Sequence, residues 1–412
     1  MPITVIRGAT SLSDIVELQA HLAALLRLEN IGLLLGAGAS VSAGGKTMAG
    51  LWDDFLETAE DSAKWLVDQK FIPTEALSDG DDRIIPNVEE LADLIEIALA
   101  EWRRQEDGAV VDLESVRADL HRALVRAAQL QQQWWGSLTD TEDHTLLKDH
   151  RSVLQKLIAA RQPGQAAPWI FTTNYDLAVE WAAESIDLQV TNGFLGTHSR
   201  RFSPQSFDIG FRNIQARGEA RFGAYNLYLA KLHGSLSWRE ENDQVYEIPA
   251  QLAGQDIKRF LDNEQDELGL MVMPSAAKYM QTVGFVLGEL FRRFAEFLSK
   301  AQTSLLISGY SFGDEHINRL LKSALLNPTL QLVIYFPGFN GNVLDPSLPD
   351  ALRKLLALQN PRVTVVGGNA EAYFDKLASH LPDPLLYDDE MRRLRKELMP
   401  QERPAIDLLE GL

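Results

Sequence analysis

The stretch Ile31 to Thr47, IGLLLGAGASVSAGGKT, decides how this chain reads. Ile31, Leu33, Leu34 and Leu35, around a single Gly, have the pattern of a short buried strand. Gly36, Ala37, Gly38, Ala39 and Ser40 follow, and all are small. Small residues let a backbone turn sharply off a strand and lie close to a ligand. A helix starting next would point its unpaired N–H groups and its dipole at that ligand, which favours phosphate. This is the front half of a dinucleotide-binding unit. A Gly-rich turn also has a packing explanation, so the rest of the chain must decide between the two.

The chain has 412 residues, 45% of them hydrophobic, enough for one large domain with an insertion or for two to three domains. No apolar run approaches the length that spans a bilayer, and MPITVIRGATSLSD lacks the charged start and apolar core of a signal peptide. There are no cysteines, which excludes disulfides, thiolate catalysis and Cys-based zinc sites and fits a reducing cytoplasm. A net charge of −19 argues against holding DNA over a broad surface and leaves room only for a local basic groove, for example around Arg200 and Arg201.

Outward from the opening stretch, residues 11 to 30 predict an amphipathic helix opened by Ser11 or Ser13, and Met48 to Leu66 a second helix. Residues 67 to 160 lose the strand signal. Val88 to Trp102 and Leu113 to Gln133 read as long helices, with Trp134 and Trp135 as a core or oligomer contact. Strands are then expected at Trp169–Thr173, Leu188–Thr191, Leu227–Leu232, Leu270–Met273, Ser304–Ser308, Leu330–Phe336 and Val363–Val366, with helices between them and a loop-rich stretch at 192 to 223. Apolar strands alternating with helices imply a doubly wound, Rossmann-like, mostly parallel sheet. The expected organisation is a first part of that domain at 1–66, an all-helical insertion at 67–160, the remainder at 161–385 and a tail at 386–412.

Four predicted strand ends carry chemistry: GAGAS at 36 to 40, TTNYD at 172 to 176, KLHGS at 231 to 235 and SGYSFGD at 308 to 314. Each has a plain structural reading. Asn174 and Asp176 suit an Asx turn capping the next helix. His233 suits a core histidine bonded to backbone. Gly309, Ser311 and Asp314 suit a helix start. What argues for a site is their gathering on one edge of one sheet, where α/β folds bind ligands.

These motifs, in this order, resemble the sirtuin-like proteins, whose pattern is Gly-Ala-Gly-x-Ser after a strand, then Asn-x-Asp, His-Gly and a Gly-x-Ser strand end. The resemblance spans residues 31 to 60 and 165 to 380. TTNYD and GYSFGDEHIN resemble the bacterial branch used in antiphage defence. GAGAS…GGKTM, RQPGQ, FRNIQARGEARFG and KLHGSLSW resemble the sirtuin-like subunit paired with a HerA-type hexameric ATPase. Sirtuin deacylases also carry a zinc module with two Cys pairs. A chain without Cys cannot build it, and the acyl-lysine cleft depends partly on that module.

The resemblance therefore implies an enzyme that uses NAD as substrate, breaks its nicotinamide–ribose bond through an oxocarbenium-like transition state, and needs no metal. By the same carry-over Asn174 orients a water or the ribose. His233 accepts a proton from the water or a ribose hydroxyl. Asp176 fixes the nicotinamide amide or holds the Asn174 loop. Gly36, Ala37, Gly38 and Ser40 take the pyrophosphate, with Thr173 beside them. Gly309 and Ser311 face the adenosine side, and Gly368, Asn369 and Ala370 lie against the adenine. Asp314 and His316 read as helix-start residues rather than catalysts.

A competing motif, Gly45-Lys46-Thr47, matches the end of a P-loop, but Ser40 stands where the first Gly is needed and no strand ending in Asp-Glu accompanies it. Two other functions are open on the sequence: an NAD or ADP-ribose sensor that switches assembly, and a nuclease active only within the ATPase complex. The expected assembly is a homo-oligomer, a ring-like dodecamer, docked on the ATPase. It has no membrane contact, and DNA is reached only through the partner. The charged-then-apolar tail from Asp388 to Leu412 is one candidate contact.

Overall fold

A computed structural model describes residues 3–12, 14–78, 83–106, 108–130, 147–162, 164–211, 226–265 and 282–383. The chain opens with a hairpin, β1 (Thr4–Arg7) and β2 (Thr10–Leu12), then α1 (Ile15–Leu25) and β3 (Asn30–Leu35). Four helices follow: α2 (Met48–Thr58), α3 (Glu60–Asp68), α4 (Val88–Gln105) and α5 (Val110–Ala128). Next come α6 (Lys148–Ala159), β4 (Trp169–Thr172), α7 (Ala178–Glu184) and β5 (Gln189–Thr191). Two short strands, β6 (Phe194–Leu195) and β7 (Arg200–Phe202), precede β8 (Asn226–Lys231). A second hairpin, β9 (Trp238–Glu241) and β10 (Gln244–Glu247), leads to α8 (Ala250–Leu261) and α9 (Thr282–Ser299). The chain then alternates through β11 (Thr303–Ser308), α10 (Glu315–Ala324), β12 (Gln331–Tyr335), α11 (Asp350–Leu356), β13 (Val363–Gly367) and α12 (Phe374–His380).

Nine strands form one sheet in the order β2-β1-β13-β12-β11-β3-β4-β8-β5. From β13 to β5 every neighbouring pair is parallel, and the β1–β2 hairpin adds antiparallel to the β13 edge. This is the doubly wound sheet that the alternating pattern implies. The central strands β3, β4 and β11 are buried along almost their whole length and mostly apolar, because helices cover both faces. One face packs α1, α6, α7 and α12 through residues such as Leu22, Leu154, Ala182 and Leu377. The other packs α9, α10 and α11 through Phe294, Phe297, Leu321 and Leu352. The rings of Phe294 and Phe297 lie 4.6 and 5.3 Å from that of Phe171 on β4, within the range of favourable aromatic pairing.

From β3 the chain steps to β4 on one side and only later returns to β11 on the other. Strand order thus reverses at β3, and a crevice opens at the carboxyl ends there.

Several local expectations need correction. Ser11 lies in β2 and Ser13 falls outside the described residues. The cap of α1 is Asp14, whose carboxylate accepts from Glu17 N–H at 2.9 Å. Met48 to Leu66 is two helices, broken at Ala59, where φ −142° and ψ 48° leave the helical region. α2 and α3 bury Leu51, Trp52, Phe55 and Leu66 against Leu91, Ile95, Leu113 and Leu120 of α4 and α5. α6 packs on the sheet instead.

Within the stretch expected to be loop-rich, 192 to 223, lie β6 and β7, which join β10 and β9 in a second, antiparallel sheet, β6-β7-β10-β9. There Arg200, its side chain 39% exposed, ion-pairs with Glu247 and donates to Asn192 at 3.1 Å. Leu270–Met273, Trp134, Trp135, the tail from Asp388 and most of FRNIQARGEARFG lie outside the described residues. Among the described residues no helix is long and apolar enough to cross a membrane.

Candidate active site

The crevice at the strand-order reversal is a cavity of about 660 Å³, a size ordinary for a small-molecule site. It collects the ends of β3, β4, β8, β11 and β12, together with the start of α2, the end of α5 and the segment leading into α12.

At the end of β4 the backbone is pinned to β3. Thr172 Oγ1 donates to Leu35 O at 3.1 Å and accepts from Asn174 N–H at 3.0 Å, and Thr173 N–H donates to Leu35 O at 3.0 Å. Asn174 then reaches over the turn. Its Nδ2 donates to Gly36 O and to Ser40 Oγ, both at 3.0 Å. An amide whose nitrogen serves two acceptors has its oxygen fixed on the other side. Asn174 Oδ1 is buried and has no hydrogen-bond partner among the described residues. An unpaired buried carbonyl oxygen is costly, and a ligand that donated a hydrogen bond to it would recover that cost.

Asp176 also lines the cavity, and its Oδ1 accepts from Ala178 N–H at 3.0 Å, so it fastens the start of α7. Behind it the buried ammonium of Lys231 donates to Asp176 O and, at 3.1 Å, to Glu180 Oε1. Burial pushes the Glu180 carboxyl up, with Lys231 opposing. The Asn174 loop is therefore held from both sides, by Ser40 and by Lys231.

His233, 5% exposed, stands just past β8. Its Nε2 is 2.8 Å from Asp314 Oδ2. The other oxygen of Asp314 accepts from His316 N–H at 2.7 Å and Ile317 N–H at 3.0 Å, capping α10. Burial works to raise the Asp314 carboxyl, but the His233 contact and the two N–H groups together hold it below the usual range. Asp314 was expected to be a helix-start residue; it is that and also the partner of the candidate base. Nothing local in the sequence signals the pairing.

The Gly-rich turn is built differently from the expectation. It forms two short 3₁₀ turns, Ala37–Ala39 and Val41–Ala43, before α2. Gly36 N–H donates to Ser308 O, Gly38 N–H to Gly309 O, Ala39 N–H to Gly36 O and Ser40 N–H to Ala37 O, at 2.9 to 3.1 Å. A Cβ on Gly36 would fall 2.5 Å from Gly309 O, and one on Gly309, at φ +69°, 2.2 Å from Ala39 N. These glycines interlock two turns. Gly36, Ala37, Gly38 and Ser40 line the cavity, but four of the turn's N–H groups are already spent on backbone carbonyls.

Thr173, Gly309 and Ser311 line the cavity, Ser311 with its Oγ accepting from Gly313 N–H at 3.3 Å. The segment after β13 meets it slightly later than expected. Ala372, Tyr373 and Phe374 form the wall, whereas Gly368, Asn369 and Ala370 are not among the lining residues; Asn369 Oδ1 instead accepts from the Tyr373 hydroxyl at 3.3 Å.

Behind the wall His150 packs its ring 4.6 Å from Phe374. Complete burial pushes its pKa down to about 4 against the opposing charge of Asp176. Lys46 and Thr47, the P-loop-like pair, have other partners: Lys46 is ion-paired with Asp54, and Thr47 Oγ1 caps α2 by accepting from Gly50 N–H at 3.3 Å. Among the described residues no group of three or more His, Cys, Asp or Glu is placed to hold a metal.

Residues 168–335 match the family model of the SIR2-like domain. The matched span contains Asn174, Asp176, His233, Gly309 and Asp314, while the Gly turn after β3 lies before it. The search of curated proteins returned no match. The match is a likeness to that domain over less than half of the chain.

Proposed function

We propose that this chain hydrolyses NAD to nicotinamide and ADP-ribose, with no acyl-lysine co-substrate. The observation that carries the reading is the buried, unpartnered Asn174 Oδ1 in the same cavity as the His233–Asp314 pair, at the strand-order reversal of a parallel sheet. Asn174 Oδ1 accepts a hydrogen bond from the attacking water or a ribose hydroxyl and so orients it. His233 takes the proton released as the water oxygen bonds to the ribose carbon. The electron pair of the broken carbon–nitrogen bond leaves with nicotinamide. Asp314 holds the His233 ring and favours its protonated form once the proton has moved. Asp176 and Lys231 keep the Asn174 loop in place. The absence of Cys argues for hydrolysis over deacylation, because the acyl-lysine cleft of the deacylases depends partly on a Cys-built zinc module.

The wider setting belongs to the same proposal and rests on the motif resemblance: cytoplasmic antiphage defence by NAD depletion, in a complex with a HerA-type ATPase.

The test is to incubate the purified chain with NAD, with and without the co-expressed ATPase, and to follow nicotinamide and ADP-ribose by chromatography with no peptide present. Release of both products supports the reading. Binding without cleavage in either state moves it to the sensor function. Deacetylation of a lysine peptide, with no nicotinamide released in its absence, overturns it.

A further inference from the structure

If the substrate is a dinucleotide, its diphosphate needs donors or cations, and the Gly turn has few N–H groups left to give. Among the described residues that line the cavity, Lys46 is the one Lys or Arg. Its backbone N–H is anchored to Ala127 O at 3.1 Å, which fixes where the side chain starts. Its ammonium meets Asp54 Oδ1, and Asp54 Oδ2 takes Arg126 Nε at 2.5 Å. One carboxylate thus stands between two cations, and the triad carries a net charge of +1 beside the cavity. The Lys46 side chain is 38% exposed and Asp54 only 10%, so Lys46 is the open member. An ammonium has three donors, and the Asp54 contact uses one.

We propose that Lys46 binds the diphosphate of the dinucleotide, its ammonium leaving Asp54 for the ligand while Arg126 stays paired with that carboxylate. This rests on the NAD reading and adds to it the residue that recognises the phosphates. Lys46 would do so as a point charge on a helix-entry loop, outside any P-loop. Arg126 keeps Asp54 compensated when Lys46 turns toward the ligand, so the exchange leaves no buried charge unpaired.

The test is ADP-ribose binding by calorimetry to the full chain, at low and at high salt, with a melting temperature for each variant. Lys46→Gln is expected to weaken binding about tenfold or more and to flatten its salt dependence, while Lys46→Arg keeps most of the affinity. Asp54→Asn, which removes the competing anion, is expected to bind as tightly as wild type or tighter. A merely structural bridge would instead weaken both variants alike, and that outcome overturns the proposal, as does unchanged binding in Lys46→Gln. Should Asp54→Asn fail to fold, the salt series decides: a Lys46→Gln loss of the same size at high salt as at low salt also overturns it. Wild-type protein that binds neither ADP-ribose nor NAD overturns the dinucleotide reading itself, a result distinct from failure of the Lys46 role alone.

Discussion

His233 and Asp314, 81 positions apart, meet at 2.8 Å across the carboxyl ends of two intervening strands. His233 follows β8 and Asp314 follows β11, with β4 and β3 between them in the sheet. Asn174 follows β4 and the Gly turn follows β3, so their contact lies between the two strands that carry the pair. One Asp314 oxygen serves the helix and the other serves the histidine.

That division lets the two duties be separated. Asp314→Asn keeps an oxygen for the His316 and Ile317 N–H groups but removes the charge beside His233. NAD turnover is expected to fall roughly ten- to a hundredfold with little change in melting temperature. Asp314→Ala also loses the cap, which costs about 1 kcal/mol of stability. Wild-type turnover in the Asn variant would reduce Asp314 to a cap.

Asn174→Ala and His233→Ala are each expected to lower turnover about a hundredfold or more while the fold stays intact, since both side chains lie at strand ends rather than inside the helix–sheet cores. Circular dichroism checks the fold, and nicotinamide release checks the role. A variant that keeps near wild-type NAD loss removes that residue from the mechanism.

Gly309→Ala tests the interlocked turns. The added Cβ has backbone 2.2 Å away at Ala39 N, and the position needs φ +69°. The expected loss is about 3 kcal/mol or more in urea denaturation, because backbone rather than a flexible side chain must move. A variant of unchanged stability would show that the turn relaxes freely.

His150 gives a pH prediction. Its folded pKa, about 4, is below the ordinary 6.5, so the unfolded chain binds the extra proton first. Its contribution is fully present above pH 6.5 and is lost as pH falls from there toward 4. His21, which burial and then the Arg7 charge also lower to about 4, adds a loss in the same window. His150→Phe keeps a ring against Phe374 and removes one titration. Compared with wild type, the variant should be relatively more stable at pH 5 than at pH 8 by about 2 kcal/mol. Parallel stability curves for the two proteins would contradict this.

The proposed assembly is checked by light scattering of the purified chain. A large, uniform homo-oligomer whose mass rises with the HerA-type ATPase is the expected outcome. A monodisperse monomer indifferent to that partner rules the arrangement out.

The sequence by itself determined the parallel sheet and the edge on which its chemistry lies. Buried parallel strands must be short apolar runs, and their common direction puts every carboxyl end on one side, so GAGAS, TTNYD, KLHGS and SGYSFGD were legible as neighbours. Local roles were legible too, since a cap such as Asp314 depends only on the residues just after it. Which strand lies beside which was decided by tertiary structure, and with it every long-range partner. β11 settles against β3, so Gly309 meets Gly36 and Gly38, and glycines that read as room for a ligand turn out to make room for each other. α5 returns to α2, so Asp54 receives Arg126 as well as Lys46. A carboxylate has two oxygens, and the chain near it accounts for only one; the other is assigned by whatever folding brings alongside.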